Sequence, residues 1–455
     1  MKDWTPARVA EAAEAARLMV SPPDGEPRRH GPDRVVIDSR EAGPGALFVG
    51  LPGAHVDGGT FAAEALTGGA WGVLVAPAHA GAELSALAPG VVLVAEDPLL
   101  ALQRLARAWR RELGAPVIGV PGSAGKTSTK DLLLALLSPR RRTVASRANR
   151  NTEIGLPLEI LAAPAGTEVL VLEMAMRGAG QIGELAAIAE PDVAVIVNVG
   201  PAHLELLGSL DAIAAAKAEL IAALPPGGTA VVPANEPLLA AHLREDVTTV
   251  TFGPGGDVRL CGFDEEHVEI DLGGERIALE LALTQPHMRL NLLAAVAAAR
   301  AVGVVPRGRI EAVISAGRGE RHQLAGGVTL IDDCYNANPI SMRAALDDLA
   351  EAALDRRSVA VLGDMLELGP EAREFHLEVA RHAGRLGVHV LVTVGPLAEA
   401  MATAFTGEVH AVPDARGAAA LIPTLLREGD VVLVKGSRGV GLEAVCRGLR
   451  AAVLA

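Results

Sequence analysis

Short, wholly apolar runs recur along this chain with helix-length segments between them, a rhythm that few folds accommodate. From Pro116, PVIGV (116–120), EVLVLEM (168–174), VAVIVNVG (193–200) and TAVVPAN (229–235) alternate with KTSTKDLLLALL (126–137) and SLDAIAAAKAELIAAL (209–224). A strand without a polar face has to be covered on both faces, as in a parallel sheet flanked by helices. Ser209 stands where an N-cap would open the second helix. A second series begins near residue 328, with VTLIDD (328–333), SVAVLGD (358–364), HVLVTVG (389–395) and DVVLVKG (430–436). Ahead of both, RVVIDSR (34–40), ALFVG (46–50), WGVLVA (71–76) and VVLVAED (91–97) read as a smaller α/β unit. The segment LLALQRLARAWRREL (99–113) reads as the helix leading out of it. The expectation is an α/β protein of three domains, 1–97, 98–314 and 315–455. The second is a phosphate-loop-type parallel-sheet domain and the third a Rossmann-like α/β domain.

A chain of 455 residues that is 50% apolar can bury a core in each of three domains. Aromatics make up only 2%, so those cores must be built from Ala, Val, Leu and Ile. A net charge of −14 argues against a general nucleic-acid binder, which needs a basic surface. Cys261, Cys334 and Cys446 lie far apart in no CxxC spacing, which gives neither a disulfide framework nor a zinc site and fits a reducing compartment. The N-terminus carries charges throughout, and no apolar run reaches the roughly 18 residues of a membrane span. These features predict a cytoplasmic protein without a membrane span, expected to act as a monomer.

GVPGSAGKTST (119–129) lies between an expected strand and an expected helix, the context of a phosphate loop. Gly122, Gly125, Lys126 and Thr127 satisfy G-x-x-G-K-T, with Ser123, Ala124 and Ser128 completing the loop. Glycines let backbone N–H groups curl around phosphate oxygens, Lys126 supplies a point charge, and the Thr127 hydroxyl can reach a magnesium ion. A kinase, an ATPase and a ligase would all satisfy this loop.

Ligands of open α/β sheets bind at the carboxyl ends of the strands. Glu173 ends an apolar strand there, and a magnesium ion bridging ATP phosphates takes one or two such oxygens. His203 follows the next strand, and Lys217 is the only cation of an Ala-rich helix. Singly, each has an ordinary explanation as a cap partner, a solvated histidine or a snorkelling lysine. All three follow one phosphate loop in order.

The segments GSAGKTSTK (122–130), RNTEIGLPLEIL (150–161), LEMAMRGAGQI (172–182), NVGPAHLELLGSL (198–210), AKAEL (216–220), IDDCYNANPISM (331–342), LGDMLELG (362–369) and LVKGSRG (433–439) resemble the Mur ligases. Within that family they are similar to the type that joins D-alanyl-D-alanine to UDP-N-acetylmuramoyl-tripeptide. DSREAGPGALFVGLPGAHVDGGTFAAEA (38–65) is similar to that type's UDP-binding domain. The resemblance implies ATP and two magnesium ions. Lys126, His203 and Lys217 would be catalytic. Thr127, Glu173, His203 and a carbamylated Lys217 would hold the metals. Asn291 would meet adenine, Asp333 the ribose, and Arg321 (in preference to Arg318) would be the hinge arginine. Ser39, Arg40, Asp57, Asn151, Thr152 and Arg177 would contact the UDP substrate. Asn336, Asn338, Lys435 and Arg438 would lie near the dipeptide or the acyl centre. Another Mur-type amino-acid ligase and a non-catalytic nucleotide-binding partner are the competing readings.

Overall fold

The computed structural model describes residues 1–19, 30–81, 84, 90–264, 266–281, 283 and 285–451. Residues 20–29, 82–83 and 85–89 of the expected first domain, and 452–455 of the third, lie outside the described residues. The described residues form three sheets. In the first, β1 (Ala16–Met19), β2 (Arg34–Val36), β3 (Ala46–Val49), β4 (Gly72–Val75) and β5 (Val91–Val94) are ordered β1-β5-β4-β3-β2. All of its pairs are parallel except β1 with β5.

The second sheet contains β6 (Val117–Val120), β7 (Thr143–Ala145), β8 (Val169–Glu173), β9 (Val193–Val195), β10 (Thr229–Pro233), β11 (Thr248–Phe252), β12 (Val258–Phe263), β13 (His267–Leu272), β14 (Glu275–Glu280) and β15 (Gly308–Arg309). Its order is β15-β14-β13-β12-β11-β10-β9-β6-β8-β7. The third contains β16 (Glu320–Gln323), β17 (Thr329–Asp332), β18 (Ser358–Gly363), β19 (Val390–Val394), β20 (Glu408–Val412) and β21 (Val431–Lys435), ordered β16-β17-β21-β18-β19-β20.

The apolar runs form the parallel interior of the second and third sheets, buried along their whole length in β6, β8, β18, β19 and β21. An all-parallel reading has to be corrected at the margins. β12, β13 and β14 pair antiparallel, and β16 runs antiparallel to β17. The cause is visible in VRLCGF, HVEIDL and ERIALE, which mix or alternate polar and apolar residues and leave one face in water. A two-residue Gly273–Gly274 connection then closes the β13–β14 hairpin.

The helix Pro98–Leu113 joins the first two sheets. Asp97 caps it by accepting from Leu99 N and Leu100 N, Pro98 opens it, and Gly114 ends it in the left-handed region. Its apolar stripe carries Leu102, Leu105 and Trp109, all buried. Trp109 meets Trp4 edge-on at 5.5 Å and donates through Nε1 to Ala163 O at 3.0 Å. One continuous core therefore runs from the first sheet into the second. Ser209 caps the helix Leu210–Ala222 by accepting from Ala212 N, as expected. Among the described residues, no helix is long and apolar enough to cross a membrane.

Candidate active site

A cavity of about 970 Å³ opens between the second and third sheets. Its lining comes from the carboxyl ends of strands on both sides. Residues 123–128 follow β6, Glu173 ends β8, Asn198 and His203 follow β9, and 233–236 and 252–254 end or follow β10 and β11. From the third sheet, Asp333, Tyr335, Asn336 and Asn338 follow β17, and Lys435 ends β21. Two switch-point edges thus confront each other across one cleft, where α/β sheets bind their ligands.

The phosphate loop is held in shape before any ligand arrives. Gly125 sits at φ +76°, and a Cβ there would fall 2.6 Å from Asn291 Oδ1, so the position accepts only glycine. Asn198 clamps the loop, accepting from Ala124 N at 2.9 Å and donating to Ala124 O at 3.0 Å. Ser123 Oγ donates to Gly200 O and accepts from Gly200 N. No side chain caps the helix Lys126–Leu137, so its first-turn N–H groups face the cleft at the positive end of the helix dipole. Lys126 Nζ donates to Gly122 O at 2.7 Å. Burial pushes the Lys126 pKa down, Glu173 opposes this, and Arg318 adds to it. Such a cation is eased by an incoming anion.

Glu173 is buried with both oxygens engaged. Oε2 accepts from Thr127 Oγ1 at 2.7 Å and Oε1 from Asn151 Nδ2 at 2.8 Å. Asn151 is presented by the loop 147–153, which Glu159, itself buried, ties down through Arg147 and Arg150. Thr127 and Glu173 are hard oxygen donors in contact beside a phosphate loop, and so fit a magnesium ion.

His203 takes the left-handed conformation at φ 60° and lines the cavity. Burial lowers its pKa, Glu367 opposes this, and Lys126 and Lys217 add to it. Lys217 lies behind the lining, 1% exposed. Among the described residues no hydrogen bond or ion pair to its ammonium is seen, and its pKa is pushed down to about 7, first by burial and then by Lys126. A buried lysine without an acid partner is held close to neutrality. It does not fit a metal as an ammonium, and it fits only as a neutral amine or after gaining a carboxylate.

Across the cleft, Lys435 is almost wholly buried, paired with Asp333 at 2.8 Å and donating to Asn336 O at 2.9 Å. Asn338 caps the helix Pro339–Ala353 and donates to Ser123 O at 3.0 Å, so it has a structural task and also joins the third sheet to the phosphate loop. Asn291 is buried and lines the cavity. Tyr335, the chain's only tyrosine, lies under Arg318 at 4.3 Å and Arg438 at 5.1 Å.

The structure places the remaining expected residues as follows. Ser128, Asn151, Thr152 and Arg177 line the cleft with those above, whereas Gly122 is buried in the loop behind the lining. Ser39, Arg40 and Asp57 lie in the first sheet's loops, away from this cavity. There Arg40 pairs with Asp38, and Asp57 accepts from His79 and from Gly59 N. Arg438 does not line the cavity and reaches it only through Tyr335.

The structure sets the two candidate arginines apart. Arg318 lines the cavity, while Arg321 points from β16 to Asp348, at 2.6 Å. The reason is the β16–β17 register, in which Arg321 pairs with Ile331 on a strand, whereas Arg318 precedes the strand in a loop. The reading of the residues also missed Asn198, Tyr335 and Glu159. A polar residue inside the apolar run VAVIVNVG and a solitary tyrosine were their available signals.

The two arginines therefore separate by experiment. Arg318→Ala lowers kcat/KM for ATP by about tenfold or more, for loss of a cation at the phosphates, and leaves unfolding unchanged. Arg321→Ala keeps activity but costs about 1–3 kcal/mol in urea unfolding at neutral pH. Burial already raises the Asp348 pKa to about 6 against Arg321's pull, so loss of Arg321 raises it further. The deficit then shrinks as pH falls through about 6, below which the folded carboxyl is protonated with or without Arg321.

Comparison with known proteins agrees with this geometry. Residues 120–299 match the Mur ligase middle domain, 317–438 the Mur ligase glutamate ligase domain, and 33–110 the Mur ligase family catalytic domain. The chain is 38% identical to the UDP-N-acetylmuramoyl-tripeptide–D-alanyl-D-alanine ligase of Mycobacterium tuberculosis (strain ATCC 25618 / H37Rv), over 99% of this chain and 98% of that protein. It is 34% identical to the ligase of the same name from Bacillus subtilis (strain 168), over 91% and 92%. Among solved structures, MurF from Acinetobacter baumannii superposes with a TM-score of 0.85 at 30% identity, covering 98% of this chain and 99% of that one. MurF ligase from Thermotoga maritima in complex with ADP superposes at 0.80 and 30% identity, covering 92% and 98%. Three successive family matches, full-length relatives and a cleft built on a phosphate loop agree: the chain belongs to the Mur ligase family.

Proposed function

We propose that this protein joins the amine of D-alanyl-D-alanine to the terminal carboxylate of UDP-N-acetylmuramoyl-tripeptide, with ATP cleaved to ADP and phosphate. The observation that carries this reading is the paired edge: an uncapped phosphate loop on one sheet faces Asp333, Asn336 and Lys435 of another in a single cleft. The full-length relatives that bear this activity in their names support the choice of substrates.

The tripeptide carboxylate attacks the γ-phosphorus of ATP, giving an acyl phosphate and ADP. The dipeptide amine attacks the acyl carbon, and phosphate leaves from the tetrahedral intermediate. Phosphoryl transfer of this kind depends on positioning and charge neutralisation. Lys126 and the first-turn N–H groups hold the β- and γ-phosphates, and Arg318 adds a cation on the opposite wall. Asn291 meets the adenine and Asp333 the ribose. Thr127 and Glu173 would hold one magnesium ion, and His203 with a carbamylated Lys217 would hold a second. Bound magnesium neutralises phosphate charge as it builds up in transfer. Asn336 and Lys435 attend the acyl centre, and Tyr335 sets the tilt of Arg318. The first domain, 1–97, binds the UDP end through Ser39, Arg40 and Asp57, and Asn151, Thr152 and Arg177 meet the peptide end. Domain 98–314 binds ATP, and 315–455 closes over it.

The test is ADP release measured with ATP alone, with each substrate omitted, and with both. Release rises at least about tenfold only when the UDP-tripeptide and the dipeptide are both present. Release independent of the dipeptide, or equal with a single amino acid in its place, overturns the proposal.

A further inference from the structure

The third domain also touches the second through a residue, Glu367, that has no part in the chemistry above. The turn after β18 carries Glu367, whose Oε2 lies 2.5 Å from His203 Nδ1. The same turn accepts a backbone bond from Glu205 N to Glu367 O at 3.3 Å. Two residues on, Gly369 (φ +67°) packs so closely that a Cβ would lie 3.1 Å from Glu205 Cα. Both Glu367 and His203 hold left-handed backbone conformations, at φ 62° and 60°, which non-glycine residues seldom adopt. Side chain, main chain and close packing therefore converge on one contact between domains.

We propose that Glu367 is a positioning residue: by accepting the Nδ1–H of His203 it fixes the imidazole tautomer that leaves the Nε2 lone pair free for a metal ion, and it does so only when the third domain is docked.

A carboxylate oxygen has no proton to give, so a hydrogen bond to Nδ1 requires the proton on that nitrogen. The neutral ring then carries its lone pair on Nε2. Metal-bound histidines characteristically donate their other N–H to a carboxylate or carbonyl, which sets ring orientation and basicity. What is particular here is that the acceptor belongs to a different domain. The ligand set is therefore completed by closure, and an open enzyme is denied its second metal and cannot spend ATP on solvent. The metal role of His203 rests on the proposed function; the tautomer does not.

Two measurements on the full chain separate these. In metal-free protein labelled with ¹⁵N-histidine, and with His203→Gln used for assignment, His203 appears as the Nδ1–H tautomer. It shifts to Nε2–H in Glu367→Ala and stays Nδ1–H in Glu367→Gln, whose amide oxygen still accepts. A wild-type ring in the Nε2–H form, or one unchanged by Glu367→Ala, overturns the proposal. With a non-hydrolysable ATP analogue bound, Mn²⁺ titration of Glu367→Ala shows the weaker site loosened by about 10–100-fold, and kcat falls by a similar factor. KM for the UDP substrate stays within about threefold, and Glu367→Gln recovers most of the loss. A shifted tautomer with unaltered Mn²⁺ binding overturns the metal-positioning role while leaving the ligase reading intact. A wild type without ligase activity overturns the ligase reading and the metal role that rests on it, and leaves the tautomer result standing.

Discussion

Lys126→Ala folds like the parent chain and loses at least about a hundredfold of ligation at saturating ATP, equivalent to about 2.7 kcal/mol of transition-state stabilisation. The ammonium sits in the curl of the loop, bonded to Gly122 O, with its charge disfavoured by burial and by Arg318. Removing it costs little stability, because burial makes the folded protein hold this cation at a penalty. Its value appears only when phosphate charge builds up in transfer. Paired measurements of ligation rate and thermal unfolding test both halves. Turnover within about threefold of wild type refutes the assignment of Lys126 to the phosphates. A fall in melting temperature that tracks the lost activity recasts it as a structural helix-start cation.

The sequence carried the catalytic edge further than it carried the sheet margins. Apolar runs leave a parallel strand no alternative to double burial, so β6, β8, β18, β19 and β21 were legible as strands, and the loop after β6 with them. Glu173 was legible for the same reason: a carboxylate at the end of VLVLE has no solubility role, and it is found between Thr127 and Asn151. The β12–β14 hairpins were not read, since their mixed patterns fit exposed loops as well as one-sided strands. The places of the two arginines were not legible because GRGERHQL gives no clue to where the loop ends and β16 begins, and three residues decide whether a guanidinium faces the cleft or Asp348. Contacts such as His203 with Glu367 join positions 164 apart and depend on how two domains meet, which no local pattern encodes.

Lys217 shows a conflict between stability and function, and its variants should separate the two. A lysine 1% exposed with its pKa lowered to about 7 is carried at a cost of a few kcal/mol near neutral pH, relative to an unfolded chain in which it stays charged. The sign follows from the shift. Between about pH 7 and 10.5 the unfolded state binds the extra proton, so the burden shrinks as pH rises through that window. Lys217→Met in carbon-dioxide-free buffer is therefore more stable than the parent at pH 7, and the gap narrows toward pH 10. The same depressed pKa leaves a large share of the amine unprotonated near neutrality, the form that attacks carbon dioxide to give a carbamate. That adduct exchanges a misplaced cation for a carboxylate-like group beside the proposed second metal. Lys217→Ala then loses at least about a hundredfold of ligation, and acetate or formate restores part of it by filling the vacated space with an oxygen donor. Lys217→Arg is inactive and is not rescued, because it keeps the charge and fills the space. Bicarbonate added to carbon-dioxide-depleted wild type raises the rate, and has no effect on Lys217→Ala. Normal turnover by Lys217→Arg shows instead that the amine serves only the fold, and the second metal must then be held through His203 without it.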